Sequence, residues 1–495
     1  MMHRINKKIA WIQAQAVLFL ALSAVSCSET DPVQSVPVLD SETELSPKEE
    51  TFTEETFDER LSPNIEVMDL RGMTFCIFGP KDTGGDWQLH DMVAEELNGE
   101  VLNDEIYRRN EFLQQTYNFE IALPDPSGSS AAELIIAGDS TYQAIAINAF
   151  GSVQLAADGM LLNMDELNHI DFSQSYWSPS LTQPLSVDGR IFMATGDITV
   201  VPKEGVRAFY FNKDLLEDYH LDNPYDIVRE GKWTIEKMFS MIGASTSDLD
   251  GNGTMNENDR YGLIGQGLVG TVLYQGSGES LASGHDTEMF ALTAGSERSV
   301  SAMLSITELI SEERSNIHMS GDWQGLLRMF ENHQGLFYTE VMLHIETMRG
   351  YDVDFGIIPS PKYDEQQENY SHYLDRGCNL FYSIPVTSED PDTAAYILEA
   401  IAAASRSYVT PAYYDVCLKS KYARDEESAE MLDIIFSTYH LELAEVYGWG
   451  GLSDYMNTCM NDGGNVSSIL KTISKRTEKA IKETVTKYRE NDNWQ

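Results

Sequence analysis

Twelve consecutive residues, 248–259, place oxygen-bearing side chains at the spacing of a calcium-binding loop. Gly253 occupies the sixth position, where such a loop must turn sharply. A hard cation needs several oxygen ligands at about 2.3–2.6 Å, and this spacing wraps them around one point. The sequence therefore predicts a structural Ca2+ site. Its predicted ligands are Asp248, Asp250, Asn252, Thr254 through its backbone carbonyl, Asn256 and Asp259.

The end of this loop departs from the EF-hand pattern. Asp259 stands where an EF-hand has a bidentate Glu, and its shorter side chain predicts weak affinity, with a dissociation constant of about 10⁻⁴–10⁻³ M. The following residues, 261–263, predict a strand rather than the second helix of an EF-hand. We therefore expect a structural role rather than a calcium switch. The alternative is an Asx/Gly turn that binds no metal.

A second glycine motif, G-x-G-x-x-G at 265–270, has Asp286 downstream at the spacing of a dinucleotide site. Such a site requires a strand before the motif and a helix after it. Residues 271–274 instead predict a strand, which argues against a dinucleotide site. The sequence contains no G-x-S-x-G, H-E-x-x-H or Walker A motif. With 79 acidic residues, a glycosidase carboxylate pair stays open as the enzymatic alternative.

The amino-acid composition restricts the classes of molecule that the protein can bind. The 495 residues include 34 Lys and Arg against 79 Asp and Glu, a formal net charge of −45. Phosphates would be repelled by this charge, which argues against nucleic acid as a partner. The hydrophobic fraction of 42% is enough for large cores. At this length, two or three domains are expected.

The first 26 residues predict a signal peptide. Three basic residues, Arg4, Lys7 and Lys8, precede a mostly apolar stretch at 10–25 that is too short and too polar for a membrane span. Small residues then lead to Cys27. Cleavage before a Cys resembles the bacterial lipobox, although Ala24 replaces the usual Leu. We therefore predict lipidation of Cys27, with ordinary secretion as the alternative.

Residues 27–66 predict an acidic, disordered tether. They include SETELSPKEETFTEETFDER, which has no sustained apolar period and cannot bury enough surface to offset the entropy of ordering. The body that follows holds four widely spaced cysteines with no C-x-x-C motif, so neither a disulfide framework nor a thiolate metal site is indicated. They are Cys76, Cys378, Cys417 and Cys459.

The body predicts alternating strands and helices. Short apolar runs at 73–78, 144–147 and 209–211 are typical of buried strands. Helical spacing occurs at 91–97, 104–115, 234–242, 299–310 and 393–404. Asp390 and Pro391 form a start signal for the last of these helices. The alternation predicts an α/β protein with parallel βαβ units, and about 430 residues favour two lobes.

The first of four informative stretches reads FYFNKDLL at 209–216 and continues through NPY at 223–225 to EGKWT at 230–234. The second is DFGIIPSPK at 354–362, and the third is YSIP at 382–385. The fourth covers 161–177, followed by DGR at 188–190 and GD at 196–197. Together these stretches resemble the family 1 extracellular solute-binding proteins, the receptors of bacterial ABC importers, and most closely the lipid-anchored carbohydrate receptors among them. The resemblance covers about residues 67–460.

The resemblance implies a two-lobed, periplasmic-binding-protein-like α/β fold with a hinge and an interlobe cleft. It places lobe 1 at 67–196, lobe 2 at 197–382, and a return to lobe 1 with C-terminal helices at 383–495. The chain would cross between lobes at 196–211 and 375–382. The implied protein is a monomeric receptor without enzymatic activity, held at the extracellular face of the cell membrane by its lipid.

A sugar receptor needs aromatic faces and directional polar side chains. The predicted ligand-binding residues, chosen after strands, at the crossings and by the resemblance, are Asp86, Trp87, Asn148, Phe150, Asp197, Phe211, Glu340, Asp375, Arg376 and Trp449. For each of them, core packing or a solvated loop is the alternative. Trp233 is predicted to lie in the core, and Trp323 is left undecided.

The leading hypothesis is thus a lipid-anchored receptor that captures a carbohydrate and delivers it to an ABC permease. A peptide or another small solute stays open as the cargo. A surface glycosidase is the second hypothesis. It requires two carboxylates about 5–10 Å apart in one cleft. The third hypothesis, a calcium-stabilised adhesion module, predicts no deep pocket between lobes.

Overall fold

The structure is a computed structural model that describes residues 66–79, 86–285 and 289–490. The predicted signal peptide, Cys27 and nearly all of the predicted tether lie outside the described residues. Among the helices that the structure describes, none combines the length and the apolar character needed to cross a bilayer.

The strands in the described ranges are β1 Met73–Phe78, β2 Phe119–Ala122, β3 Ala144–Ile147, β4 Arg207–Asn212, β5 Tyr261–Gln266, β6 Ala282–His285, β7 Met289–Leu292, β8 Ile317–Ser320, β9 Gly335–Val341, β10 Phe355–Ile358, β11 His372–Tyr373, β12 Phe381–Ser383 and β13 Tyr439–His440.

The α-helices in the same ranges are α1 Val101–Tyr117, α2 Ala131–Ile136, α3 Ala149–Ala157, α4 Pro179–Thr182, α5 Val201–Glu204, α6 Lys213–Asp218, α7 Pro224–Arg229, α8 Ile235–Ile242, α9 Val269–Gly276, α10 Glu297–Glu312, α11 Trp323–Glu331, α12 Ile345–Met348, α13 Pro391–Ser407, α14 Val409–Pro411, α15 Glu426–Ser437, α16 Leu443–Val446, α17 Leu452–Asp462 and α18 Val466–Arg489. A π-helical segment, Ala412–Tyr422, follows α14.

The first large sheet has the order β12-β3-β1-β2. Strand β1 is parallel to both β2 and β3, whereas β12 is antiparallel to β3, with Phe381 opposite Ile147. The almost wholly buried helix α13 belongs to the same core. The core of this lobe therefore lies between a mainly parallel sheet and its helices, as expected for βαβ units.

The second large sheet has the order β10-β4-β9-β5-β8. Strands β5, β8 and β9 run parallel, whereas β4 runs antiparallel to both β9 and β10. All six residues of β4 are buried, which explains why its sequence RAFYFN is nearly continuous in apolar residues rather than alternating.

Two crossing segments, the first at 194–206 and the second at 374–382, join the sheets and lie side by side. Ala194 pairs with Tyr382 and Val206 pairs with Leu374, both antiparallel. A Cβ added to Gly205 would stand 1.8 Å from the carbonyl oxygen of Cys378, so only glycine permits this approach. One crossing enters the first sheet beside the carboxyl end of β3, and the other enters the second sheet beside the carboxyl end of β9. The carboxyl edges of both sheets therefore meet at the crossings.

The predicted elements agree with the structure except at one helix and at one strand, which is described with the glycine motif below. Strands β1 and β3 have the predicted bounds, and helices occupy the windows at 104–115, 234–242, 299–310 and 393–404. Asp390 caps α13 by accepting from the Thr393 N–H at 3.1 Å. The helix predicted at 91–97 was wrong. The Asp91 carboxylate is buried and accepts from the backbone N–H of Val200 at 2.6 Å, so a tertiary contact overrides the local pattern.

The four cysteines of the body are free thiols, and two of them, Cys417 and Cys459, are buried.

Trp233 is completely buried, and its indole N–H donates to the Pro359 carbonyl at 2.9 Å. This confirms its predicted position in the core.

Candidate ligand-binding site

A cavity of about 420 Å³ lies where β3 ends and the second crossing segment passes. Three of the ten predicted ligand-binding residues line it. Its lining, among the described residues, consists of Asn148, Phe150, Arg376, Gly377, Ala444, Glu445, Gly448, Gly451, Ser453 and Asp454. The described lining thus combines one aromatic face, one amide, one cation and two carboxylates, which are groups that can hold a sugar ring.

The first wall of the cavity is the junction of β3 and α3. Asn148 caps α3 by accepting from the Gly151 N–H at 2.9 Å, which fixes its side chain at the cavity wall. Phe150 follows in the first turn and is 52% exposed, although it is a large apolar residue. A Cβ on Gly448 would stand 3.7 Å from the Phe150 ring, so this glycine lies directly against the aromatic side chain.

Asn379 ties this wall to the second crossing segment. Its side-chain oxygen accepts from the Ala149 N–H at 2.8 Å, and its amide donates to the carbonyls of Asp375 and Arg376 at 3.1 and 3.0 Å. Asn379 is 1% exposed. The backbone around Arg376 is therefore held against the start of α3. As a result, Arg376 and Phe150 lie next to each other in the cavity wall.

Arg376 is the cation of the cavity. Its guanidinium lies 3.6 Å from the Glu445 carboxylate and 3.4 Å from that of Asp454. The Tyr373 hydroxyl donates to Glu445 at 2.5 Å. Burial raises the pKa of Glu445 to about 7, although the Tyr373 hydroxyl and Arg376 both stabilise its ionised form.

A buried ion-pair cluster lies behind Arg376. Arg207 is 2% exposed and contacts Asp375 at 2.8 Å and Glu340 at 3.5 Å, and it donates to the Gln266 side-chain oxygen at 2.9 Å. The fully buried Glu340 also accepts from the Tyr338 hydroxyl at 2.6 Å. Burial by itself would raise the pKa of Glu340, but contacts with His344 and Arg207 hold that pKa below its usual value. The cluster joins the first residue of β4, the end of β9 and the second crossing.

The other predicted ligand-binding residues lie elsewhere. Asp197 is 5% exposed and accepts from Lys203, Arg406 and Thr410, so it ties the first crossing to α13 and α14. Phe211 is buried in β4 with its ring edge-on to Tyr225.

Trp449 is buried beneath the cavity, stacked on Tyr447 with 4.5 Å between ring centroids. Asp86 and Trp87 begin a short 3₁₀ helix, Asp86–Leu89, and their side chains lie outside the described part. The third residue of this helix, Gln88, donates to the Gly377 carbonyl at 3.3 Å.

Sequence reasoning missed Glu445, Asp454 and Arg207. The two acidic residues flank the Gly448–Gly451 run, a turn that places its neighbours close together, and this was the available signal. Arg207 opens an otherwise apolar strand, which indicates a buried cation with carboxylate partners. Neither signal names the partner, because the partners come from distant parts of the chain.

A larger cavity, of about 680 Å³, lies at α7 and α8 rather than at the crossings. Its two lysines are already paired, Lys232 with Glu230 and Lys237 with Asp222, both at 2.8 Å. None of its described lining residues is aromatic, so it offers no face for a sugar ring. The smaller cavity is therefore the better candidate.

The glycine motif at 265–270 has a different context from the one predicted. It spans the end of β5 and the start of helix α9, so the expected strand at 271–274 was wrong. Asn461 and Asn457 of α17 accept from the N–H groups of Gly270 and Thr271 at 2.9 and 3.3 Å. A Cβ on Gly270 would stand 2.8 Å from the Met460 Cβ. Helix α17 therefore covers the start of α9, and no space is left there for a pyrophosphate.

The predicted calcium loop closes at its base through a pair of 3.0 Å backbone hydrogen bonds between Ser247 and Arg260. Carboxylate oxygens of Asp248, Asp250 and Asp259 lie within 4.8 Å of one another. Gly253 has φ +80°, which allows the sharp turn. These oxygen donors fit a hard cation such as Ca2+.

The remaining predicted ligands lie within the same turn. The Asn252 amide donates to Asp250 at 2.7 Å, and the Asn256 amide donates to the Thr254 carbonyl at 2.9 Å. Thus every predicted ligand lies in one hydrogen-bonded loop.

The raised pKa of Glu445 predicts a pH-dependent stability. Its folded pKa of about 7 lies above the ordinary 4.5, so the stabilisation from its protonated form is complete below pH 4.5 and lost as pH rises through 7. The loss is at most about 3 kcal/mol. Glu445→Gln should therefore become more stable relative to wild type between pH 5 and 8, measured by urea unfolding.

The matched control for this series is Asp454→Asn, because the Asp454 side chain is 74% exposed and belongs to the same ion-pair group. We expect its difference from wild type to change little over that range. A Glu445→Gln difference that is equally flat would contradict the assignment of a buried, ionisable Glu445.

Solved structures show the same fold, whereas no protein-family model and no curated protein matches the chain. The ABC substrate-binding protein Lmo0181 of Listeria monocytogenes, in complex with cycloalternan, is 12% identical with a TM-score of 0.52, covering 84% of this chain and 100% of that one. The maltose/maltodextrin-binding domain MalE of Bdellovibrio bacteriovorus, bound to maltotriose, is 12% identical with a TM-score of 0.51, covering 83% and 100%.

A third neighbour is UgpB of Mycobacterium tuberculosis, in complex with glycerophosphocholine. It is 14% identical with a TM-score of 0.50, covering 84% of this chain and 99% of that chain. The predicted two-lobed, periplasmic-binding-protein-like α/β fold is confirmed by these structures.

Proposed function

We propose that this chain is a family 1 solute-binding protein, a receptor that captures a carbohydrate outside the cell and delivers it to an ABC transporter permease. One observation carries the proposal: the cavity at the crossings offers Phe150, Asn148 and Arg376 in a fold shared with sugar-binding ABC receptors. Its role is binding and release of the solute, without chemical conversion.

Each lining group has a separate role in holding a sugar. The exposed ring of Phe150 is a platform for the C–H face of a pyranose. The Asn148 amide and the Arg376 guanidinium donate to hydroxyl oxygens, and the carboxylates of Glu445 and Asp454 accept from hydroxyl hydrogens. Because Arg376 already faces two carboxylates, the cavity is not strongly cationic, which favours a neutral sugar over an anionic one.

Delivery requires a change of shape that depends on the sugar. A ligand that contacts both lobes favours the closed arrangement in proportion to its differential affinity for that state. The paired crossings at 194–206 and 374–382 are the connections about which the lobes would move. A closed, loaded receptor is then the form that the permease would recognise.

We further propose that the receptor is anchored to the membrane as a monomer. Lipidation at Cys27 would hold the receptor at the extracellular face of the membrane, and residues 27–66 would act as its spacer. We propose a monomer with no nucleic acid partner, since a net charge of −45 disfavours both self-association and phosphate binding.

A carbohydrate-active enzyme is the second candidate, and one observation favours it. Glu445 and Asp454 both contact the same Arg376 nitrogen, so their oxygens lie at most about 7 Å apart, an upper limit that is compatible with a glycosidase carboxylate pair. The pKa of Glu445, raised by burial to about 7, also suits a general acid. However, the Arg376 guanidinium lies between the two carboxylates, where a glycosidase must place the scissile bond.

The test is a thermal-shift screen of the mature protein against mono- and oligosaccharides, peptides and glycerophosphodiesters, followed by chromatography of each hit. We expect a concentration-dependent rise in the melting midpoint with a sugar that is recovered intact. Recovery of shortened glycans would establish the enzyme instead. A response to peptides alone, or to no solute, would overturn the carbohydrate receptor.

We also propose that the 248–259 loop binds a structural Ca2+ ion, supported by its three converging carboxylates. With a dissociation constant of about 10⁻⁴–10⁻³ M, 10 mM Ca2+ should stabilise the fold by about 1.4–2.7 kcal/mol. Asp250→Asn should abolish this gain, because it removes one charged ligand from an exposed position. Urea unfolding in Ca2+ and in EDTA measures both effects.

The control for calcium is Asp364→Asn, which alters an acidic residue outside the loop and should keep the full response. Equal unfolding free energies of wild type in Ca2+ and in EDTA would leave the loop as a metal-free turn.

A further inference from the structure

The proposed function requires a ligand that contacts both lobes, and the described residues that line the cavity do not meet this requirement. Its residues come from the start of α3, the second crossing and 444–454, and none comes from the carboxyl ends of β5, β8 and β9. Those three parallel strands end at the edge that meets the crossings. A ligand that draws two lobes together must contact this edge as well.

A stacked aromatic pair spans that edge. Trp323 begins α11, three residues after β8 ends, and His344 lies three residues after β9 ends. Their rings are stacked, with centroids 4.5 Å apart and planes within 5°. Since β5 lies between β8 and β9 in the sheet, the stack bridges the loops that flank the end of β5. Trp323 is 40% exposed, so its indole is available on the side away from His344.

His344 places the stack next to a buried carboxylate. The His344 side chain is 16% exposed, and its Nδ1 lies 3.7 Å from the carboxylate of the fully buried Glu340. Among the residues that the structure describes, this Nδ1 atom has no hydrogen-bond partner. Glu340 in turn contacts Arg207, which is paired with Asp375, the neighbour of Arg376. The stack is therefore connected to the cavity through the Glu340–Arg207–Asp375 ion pairs and the backbone between Asp375 and Arg376.

We propose that Trp323, stacked on His344, is a second sugar-binding platform, and that the receptor selects oligosaccharides long enough to contact both Trp323 and Phe150. This inference rests on the proposed function, because it assigns a contact of the same ligand. An indole face offers a large apolar surface to a sugar ring at little entropic cost. A monosaccharide can occupy one platform only. A longer chain reaches both and favours the closed state.

The experiment compares wild type with Trp323→Ala by isothermal titration. The probes are gluco-, manno-, galacto- and xylo-oligosaccharides of one to six units. For the series that binds wild type, we expect affinity to rise with chain length. Trp323→Ala should weaken the longest chain about 10-fold and leave the monosaccharide or disaccharide nearly unchanged. Trp323→Phe, which retains an aromatic face, should recover part of the loss.

The matched control is Leu304→Ala, which removes a 47% exposed apolar side chain from α10 and should bind every chain as wild type does. The melting midpoint of unliganded Trp323→Ala should equal that of wild type, which separates a binding role from a structural one. Equal affinity of Trp323→Ala and wild type for the longest chain would overturn the platform and keep the receptor. Absence of binding by wild type to every glycan would overturn the receptor itself.

Discussion

Replacing Arg207 by methionine should lower the free energy of unfolding by about 3–5 kcal/mol, one of the largest single losses that we expect in this protein. Arg207 is 2% exposed and is the cation between Asp375 and Glu340. Methionine fills a similar volume, so the loss comes mainly from two buried carboxylates without a counter-charge. Urea unfolding at pH 7 measures the change.

Two further variants make the Arg207 result decisive. Arg229→Met removes an arginine that contacts three carboxylates on the surface of α7 and α15, and solvent screening should make its effect much smaller. The triple variant Arg207→Met, Asp375→Asn, Glu340→Gln removes the uncompensated charges and should recover part of the stability. Equal losses for Arg207→Met and Arg229→Met would show that the cluster is not electrostatically important.

Replacing Phe150 by alanine should weaken binding of the cognate sugar about 30-fold, equivalent to about 2 kcal/mol. Phe150 is the one aromatic side chain among the described residues that line the cavity, and more than half of its surface is open to a ligand. Because it contributes little to the core, the unliganded protein should keep its melting midpoint. Isothermal titration with the glycan found in the screen measures the loss.

Ile136→Ala is the control for this variant, since Ile136 is a 74% exposed apolar residue of the same lobe. It should bind the sugar with unchanged affinity. Phe150→Trp should bind at least as well as wild type, because a larger face is retained. Unchanged affinity of Phe150→Ala would place the ligand outside this cavity.

The difference between Phe150 and Phe211 shows what a sequence pattern can resolve. Phe150 follows a predicted strand, and Phe211 is the last residue of another. Both were predicted to contact the ligand. Phe150 lies in the first turn of α3 and is exposed, whereas Phe211 lies in β4 between β9 and β10 and is buried. Strand order, which places β4 inside the sheet, is not contained in the local sequence.

Neighbouring residues can also have different roles. Asp375 and Arg376 were both predicted to contact ligand, but Asp375 pairs with the buried Arg207 while Arg376 lines the cavity.

The motif at 265–270 was predicted in the wrong context because β-branched residues at 271–272 locally favour a strand. Packing against α17, through Asn457 and Asn461, overrides this preference and holds the segment as helix.

The sequence by itself determined the features that depend on neighbours along the chain. These are the buried strands β1 and β3, the cap of α13 at Asp390, the turn geometry of the 248–259 loop and the α/β fold class. Hydrophobic period, capping residues and glycine positions are local properties, so they can be read without tertiary information. The motif order that resembled the solute-binding proteins belongs with them.

Only the tertiary structure decided which residues meet at the crossings. Glu445 and Asp454 come to Arg376 from about 70 to 80 positions away, and Glu340 comes to Arg207 from more than 130. The Trp323–His344 stack likewise requires β5 to lie between β8 and β9. Such contacts follow from strand order and helix packing. They depend on the free energy of the whole fold, which no single stretch of the chain specifies.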